Sequence, residues 1–393
     1  MKKGVAMKIA ITGGGTAGHV TPLLAIASDI KNRYPSSTVY YIGLYKDPMR
    51  TVVVSSDYID ARYHILAGKF RRYHGVSPLK QLADIKTNLK NIRDLVFFLI
   101  GILQSMALLI IKRPDLLFIK GGFVGLPVGL AAALLKIPIV THDSDSVPGL
   151  TNRILSRYAK LQAVGMPPKL YKGIYNIAKL RYTGVPIQTE YTQAPSKEEA
   201  KRHFGFLKSE VIVSVVGGSL GAARLNGYVY KCLPKIVQKN ICVLWVAGSN
   251  TYNLYKNKLN NQKINTKKYR LFKFVDTKEM VNILSAADVV VSRAGATALA
   301  ELAVMAKPTI IVPNPYLAGG HQVKNANNLT SSKAALVITE PELEENPALL
   351  VDTVARVIED SKTKRELANN IAKLSVKRAS QKIVDVIQEA LSK

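Results

Sequence analysis

The chain has 393 residues, 48% of them hydrophobic, and sets 55 Lys and Arg against 27 Asp and Glu, a formal net charge of +28 at pH 7. The length exceeds one ordinary domain and predicts two, each able to bury a core of its own. The charge excludes an electrostatically indifferent surface and calls for an acidic partner: nucleic acid, an anionic membrane or a phosphorylated substrate.

The first strand, 8–12, runs into GGGTAGHVTP, residues 13–22. Its apolar run is too short for a secretory signal, and Met7 offers a second start. Gly13, Gly15 and Gly18 form a G-x-G-x-x-G pattern. A dinucleotide site also wants an acid at the end of the second strand, to hold the adenosine ribose. That strand, 39–43, is followed by Leu44, and Asp47 lies beyond the expected place. The glycines therefore speak for a tight turn and open amides at a helix N-terminus, which attract anions, more than for NAD. Pro22 suits the first turn of that helix. His19 is either a capping or core histidine, or a neutral imidazole placed to remove a proton from a sugar hydroxyl.

Residues 95–111, LVFFLIGILQSMALLII, are almost wholly apolar. Helix length favours a buried helix packed on a sheet. Lys69, Arg71, Arg72, Lys80, Lys86, Lys90 and Arg93 precede it and favour a helix whose surplus apolar face rests on an anionic lipid surface. A true span would interrupt the strand–helix alternation on both sides. Further strands are predicted at 116–119, 137–141 and 162–164. Turn and proline residues at 183–195 mark a boundary. A second series follows at 211–216, 242–247, 271–274, 289–292 and 309–312, with GGSLGAARLN after its first strand. Buried-type strands alternating with helices predict an α/β protein of two doubly wound domains with parallel sheets facing a central cleft. One amphipathic helix is expected over 352–391. Cys232 and Cys242 lie in core-like segments, so no disulfide framework is expected and a reducing cytoplasm fits.

The stretch 292–326 carries the most chemistry. Small residues at 294–297 open a helix, allowing a diphosphate to approach the backbone. Glu301, the only acid in that helix and read as near its start, suits a ribose diol or, alternatively, the helix dipole. His321, Gln322 and Asn325 are neutral hydrogen-bonding groups suited to sugar hydroxyls; Asn325 alone also suits a helix cap.

Taken together, GGGTAGHVTP, GGFVGLP, HDSDSVPGLTN, GGSLGAARLN, SRAGATALAEL and GGHQVKNA resemble, in order and spacing, the MurG family of peptidoglycan glycosyltransferases, over about residues 8–391. The resemblance implies a GT-B fold of two Rossmann-like domains, 1–187 and 188–374, with a C-terminal helix at about 375–393 packed back on the first. It implies metal-independent, inverting transfer of N-acetylglucosamine from UDP-N-acetylglucosamine to lipid I at the cytoplasmic membrane face, with no cofactor and no metal site. It makes His19 the general base. It assigns the donor to Thr16, Ala17, Gly18, Asp145, Gln188, Ser219, the backbone near Val275, Ala296, Thr297, Glu301, His321 and Gln322. It assigns the acceptor diphosphate to Gly14, Gly15, Gly121 and Gly122, with help from the basic loop 69–72. The sequence departs from the family pattern at Ala17, usually Gly, at Asp145, usually Asn, and at Gln188, usually Arg. A related transferase with another acceptor is the alternative these departures keep open. A UDP-N-acetylglucosamine 2-epimerase would need more acids in the cleft. Binding to nucleic acid is not expected, because the basic residues are dispersed and no stacking motif accompanies them.

Overall fold

The computed structural model describes residues 6–47, 49–69, 84–218, 221–262 and 264–392. Arg71, Arg72, Lys80 and Ser219 lie outside these residues. The chain divides into two compact units, Met1–Ile187 with Val376–Lys393, and Gln188–Ser375.

The first unit is built on a seven-stranded parallel sheet. Its strands are β1 (Lys8–Thr12), β2 (Thr38–Leu44), β3 (Ala61–Ile65), β4 (Leu116–Ile119), β5 (Ile139–Asp143), β6 (Leu161–Val164) and β7 (Leu180–Tyr182), in the order β3-β2-β1-β4-β5-β6-β7. This is the Rossmann order, and it reverses between β1 and β4, where such sheets bind ligands. Alternate residues feed opposite faces, as strand geometry requires. Ile9 and Ile11 pack with the helix Ala17–Arg33 and the C-terminal helix Ala379–Ser392. Ala10, Leu117 and Ile119 pack with the helix Gly125–Leu134.

The helix Ile85–Lys112 starts at Asp84, whose carboxylate accepts the Thr87 N–H at 3.0 Å. It stops at Arg113, which takes the left-handed conformation just before Pro114. The apolar segment is not a buried core helix. Its buried residues, Asp94, Gly101, Ser105 and Leu109, make only a narrow stripe. Leu89, Ile92, Leu95, Val96, Leu99, Ile100, Leu103, Ile110 and Ile111 are exposed, Leu103 to 67% and Ile111 to 71%. By length and composition it is the one helix among the described residues that could cross a membrane.

The second unit holds a six-stranded parallel sheet of β8 (Val211–Val216), β9 (Ile241–Val246), β10 (Tyr269–Phe272), β11 (Val289–Ser292), β12 (Thr309–Ile311) and β13 (Leu336–Val337). The order is β10-β9-β8-β11-β12-β13, the same winding repeated. Trp245 is fully buried, and its indole N–H donates to Asn226 Oδ1 at 2.9 Å. Asn226 in turn donates to the Ala247 carbonyl at 2.7 Å, which ties the helix after the glycine loop to the end of β9.

The single helix expected over 352–391 is three: Ala348–Glu359, Ser361–Lys373 and Ala379–Ser392. Asp360 makes the first break, its carboxylate accepting the N–H of Lys362 at 2.9 Å and of Thr363 at 3.1 Å. Arg378, at φ 57, makes the second. The last helix belongs to the first unit. There it buries Ile383, Val384, Val386, Ile387 and Ala390 and pairs Glu389 with Arg181 at 2.6 Å.

Candidate functional site

Each unit carries candidate site residues at the carboxyl ends of its own strands. In the first unit, β1 runs into the turn Gly13 to Gly15, and Thr16 precedes the helix Ala17–Arg33. The amides of His19 and Val20 turn back on the Thr16 carbonyl at 3.1 and 3.2 Å. Gly15 has φ 83, and Gly121 and Gly122, which follow β4, have φ 100 and 78, conformations that favour glycine. The two loops meet. A Cβ added at Gly122 would lie 3.4 Å from the Gly14 carbonyl and 3.5 Å from His19 Cδ2. One added at Gly15 would lie 3.1 Å from the Phe123 ring. The His19 ring is thus half-buried against glycine backbone, not sealed in the aliphatic core.

His19 Nδ1 lies 2.8 Å from Thr16 Oγ1. When Nδ1–H donates to that hydroxyl, Nε2 carries the lone pair and can accept a proton; the other tautomer cannot use Nε2 as a base. Thr16 therefore bears on the tautomer of His19. Asp47, which lies beyond the place of a ribose-binding acid, reaches back to the glycine turn instead. Its Oδ2 accepts the Gly15 N–H at 3.2 Å, and its Oδ1 the Met49 N–H at 2.9 Å.

Behind Gly121 and Gly122 lies a buried polar cluster that sequence reading did not assemble. Lys120, 4% exposed, donates to Ser144 Oγ at 2.8 Å. Burial pulls its ammonium down to about 8, against the opposing fields of Asp145 and Asp143. His142 donates from Nε2 to the Gly184 carbonyl at 2.9 Å, and burial, with Lys120 beside it, holds the ring neutral, well below the usual histidine range. Asp143 accepts from the Tyr175 hydroxyl at 2.6 Å and the Gly149 N–H at 3.1 Å; burial raises its carboxyl even so. The Asp145 carbonyl accepts the Tyr171 hydroxyl at 2.8 Å, and its half-buried carboxylate belongs to the field around Lys120.

In the second unit the turn after β11 ends at Gly295, and the helix Ala296–Val304 begins. Glu301 is the sixth residue of that helix, not part of its first turn. The dipole reading is thereby removed, since that effect fades within a turn. Tyr191, buried in the short helix Thr189–Thr192, hydrogen-bonds Glu301. Desolvation lifts the Glu301 carboxyl to about 8 in spite of that bond. Gln322 is buried, and its Oε1 accepts the Asn314 N–H at 2.9 Å. Asn325 is no helix cap. It lies inside the helix His321–Ser331 and donates to the Ala294 carbonyl at 3.0 Å, fixing the turn before Gly295. Arg293 holds the same turn by donating to the Val312 carbonyl at 2.9 Å and pairing with buried Glu340 at 2.6 Å. Glu340 also binds Arg224 at 2.8 Å.

His321 is half-buried at the start of its helix, beside Gln322, and Thr297 is half-buried beside buried Ala296. Val275 lies in the stretch between β10 and the helix Thr277–Ala286. Gln188 accepts a hydrogen bond from Thr277 through its side-chain carbonyl, tying the start of the unit to that helix. Among the described residues, no group of His, Cys, Asp and Glu is arranged to hold a metal ion.

Residues 9–164 match the glycosyltransferase family 28 N-terminal domain and residues 212–383 its C-terminal domain. The chain is 35% identical to a Listeria monocytogenes protein named UDP-N-acetylglucosamine--N-acetylmuramyl-(pentapeptide) pyrophosphoryl-undecaprenol N-acetylglucosamine transferase, covering 97% of this chain and 99% of that one. It is 30% identical to the Bacillus subtilis protein of the same name, over 98% and 99%. The fold matches the crystal structure of Acinetobacter baumannii MurG with a TM-score of 0.68, at 21% identity over 98% of this chain and all of that one. It matches a UDP-GlcNAc 2-epimerase from Neisseria meningitidis nearly as well, at 0.67 but 14% identity over 98% of this chain and all of that one, so shape alone does not separate the two activities. Sequence identity along the whole chain does: the chain belongs to the MurG family of glycosyltransferases.

Proposed function

We propose that the protein transfers N-acetylglucosamine from UDP-N-acetylglucosamine to the C4 hydroxyl of the N-acetylmuramoyl sugar of lipid I, with inversion, to give lipid II. The observation that carries the reading at the level of residues is the His19 ring, bonded to Thr16 and lying against Gly122, where the two glycine turns of the first unit meet.

In this reading the turns at Gly14–Gly15 and Gly121–Gly122 hold the acceptor diphosphate with backbone amides. His19 Nε2 takes the proton of the attacking hydroxyl while Nδ1–H stays on Thr16. In the second unit the ionised Glu301 accepts the ribose hydroxyls, and the backbone near Val275 meets the uracil. The helix start at Ala296–Thr297 receives the departing diphosphate, whose developing charge its amides stabilise. His321 and Gln322 read the sugar; the Gln322 amide N–H₂ is oriented by the bond its oxygen makes to Asn314. The exposed apolar face of the helix Ile85–Lys112, with Lys69, Lys90, Arg93 and Arg113 exposed nearby in sequence, rests on the anionic cytoplasmic face of the cell membrane, where a polyprenyl acceptor resides.

Incubation with labelled UDP-N-acetylglucosamine and a soluble lipid I analogue tests the activity. Glycosylated acceptor is expected. Hydrolysis alone, or transfer only to another acceptor, refutes the assignment.

A further inference from the structure

In the second unit, residues 313–320 link β12 to the helix that starts with His321 and Gln322. The front of this loop is stiff: Pro313 and Pro315, with their fixed φ, flank Asn314. The back ends in Gly319 and Gly320, at φ 76 and 61, residues that restrain the backbone least. Asn314 ties the loop to the helix. Its N–H donates to Gln322 Oε1 at 2.9 Å, and its Oδ1 accepts the Tyr316 N–H at 3.0 Å. Whatever holds Tyr316 therefore bears on the placing of the Gln322 amide.

Tyr316 is held from outside the loop. Its side chain is 63% exposed, so it is no part of the core. The Arg224 guanidinium lies over its ring, with Cζ 4.0 Å from the ring centroid. Arg224 is the second residue of the helix Ala223–Gln238, which follows the second glycine loop. Its Nη1 donates to Oε2 of buried Glu340 at 2.8 Å, and Glu340 Oε1 pairs with Arg293 Nη2 at 2.6 Å. One carboxylate shared by two guanidiniums leaves a surplus positive charge, so Arg224 stays an effective cation for the π face of Tyr316. Arg293, through its bond to the Val312 carbonyl, returns this chain of contacts to the start of the same loop.

We propose that Tyr316 is a positioning residue for donor-sugar specificity. Stacked on the guanidinium that Glu340 fixes, it holds the 313–320 loop in the shape that presents the Gln322 amide to the sugar. The inference rests on Gln322 reading the donor sugar.

The test titrates UDP-N-acetylglucosamine, its C4 epimer UDP-N-acetylgalactosamine, and UDP by calorimetry into the full-length wild type, Y316A, Y316F, R224K, R224K/Y316A and Q322A. The readout is the ratio of affinities for the two epimers, with the UDP Kd as control. Y316A is expected to lower the ratio about two- to fivefold, the scale of a cation–π contact at an exposed site, with the UDP Kd unchanged. Y316F keeps the ring and the wild-type ratio. R224K keeps the charge but loses the planar stack and lowers the ratio. Adding Y316A to R224K lowers it no further, because the two residues make one contact.

An unchanged ratio in Y316A, an equal loss in Y316F, or a further loss when Y316A is added to R224K overturns the proposal. Equal weakening of all three ligands in Y316A also overturns it, since that is what a merely structural role would give. Should R224K fail to fold, the contrast between Y316A and Y316F, both at an exposed position, still decides. A wild type without preference between the epimers, or Q322A with the wild-type ratio, counts against the donor assignment itself. Loss of preference in Q322A beside an indifferent Y316A counts only against the Tyr316 stack.

Discussion

Donor binding should be coupled to loss of a proton from Glu301. The carboxyl sits at about 8 because burial penalises its charge more than Tyr191 compensates it. Accepting two ribose hydroxyls requires the ionised form, which at pH 7 is about one tenth of the population and at pH 6 about one hundredth. Since apparent affinity scales with the competent fraction, the affinity for UDP-N-acetylglucosamine should rise about fiftyfold from pH 6 to pH 8 and then level off. That rise corresponds to about 2.3 kcal/mol. Calorimetry at pH 7 in buffers of different ionisation enthalpy should register nearly one proton released per ligand bound. The sugar nucleotide is the right probe, because its diester phosphates do not titrate in this range, whereas the terminal phosphate of UDP does. Glu301→Gln should abolish the pH dependence. Tyr191→Phe should push the plateau to higher pH, because the bond it removes lowers the Glu301 pKa. Flat affinity between pH 6 and 8 with no proton release would refute this account.

For stability the sign is the reverse. The folded-state pKa of Glu301 lies above its ordinary 4.5, so the wild type loses stability relative to Glu301→Gln as pH rises from about 4.5 to 8; melting curves at pH 4 and pH 8 check this. His19→Ala should lower turnover on the order of a hundredfold or more, the lower end of what a positioned general base contributes, without altering donor affinity by calorimetry, and Thr16→Val should lower it less. Replacing Leu103 and Ile111 by Glu should abolish flotation with anionic vesicles while sparing turnover of a soluble acceptor; unchanged flotation would remove the helix from the membrane contact. Gly184→Ala should be severely destabilising in thermal melts, because Gly184 has φ 80 and its new methyl would come 2.4 Å from Val376 Cβ.

Where an apolar run leads within three residues into a glycine-bearing turn, the sequence disclosed both strand and turn: β1, β4, β8 and β11 fall at the predicted bounds. The strands it hid are at the sheet edges. β3 reads ARYHI, β7 LRY and β13 LV, too polar or too short to announce burial. Periodicity carried the C-terminal helix through Asp360 because amphipathic spacing resumes beyond the break; only the capping bonds of that carboxylate reveal the stop. In the site, glycines and His19 were legible because their chemistry is local. Asp47, Lys120 and Tyr191 were not. Each matters through a partner that the sheet winding delivers, Gly15, Ser144 and Glu301 respectively, and no spacing in the chain encodes those meetings.

The return of the Ala379–Ser392 helix to the first unit has a consequence for biosynthesis. Domains generally mature in the order in which they leave the ribosome. Here the leading lobe is still missing one wall of its interior when the trailing lobe has been translated, since Ile383, Val384 and Ile387 complete the layer over Ile9, Ile11 and Phe118. The nascent polypeptide therefore carries an open apolar seam until the Ala379–Ser392 helix emerges. Closing that seam waits on this late helix, so the half that carries His19 acquires its finished form only after the second lobe has been made.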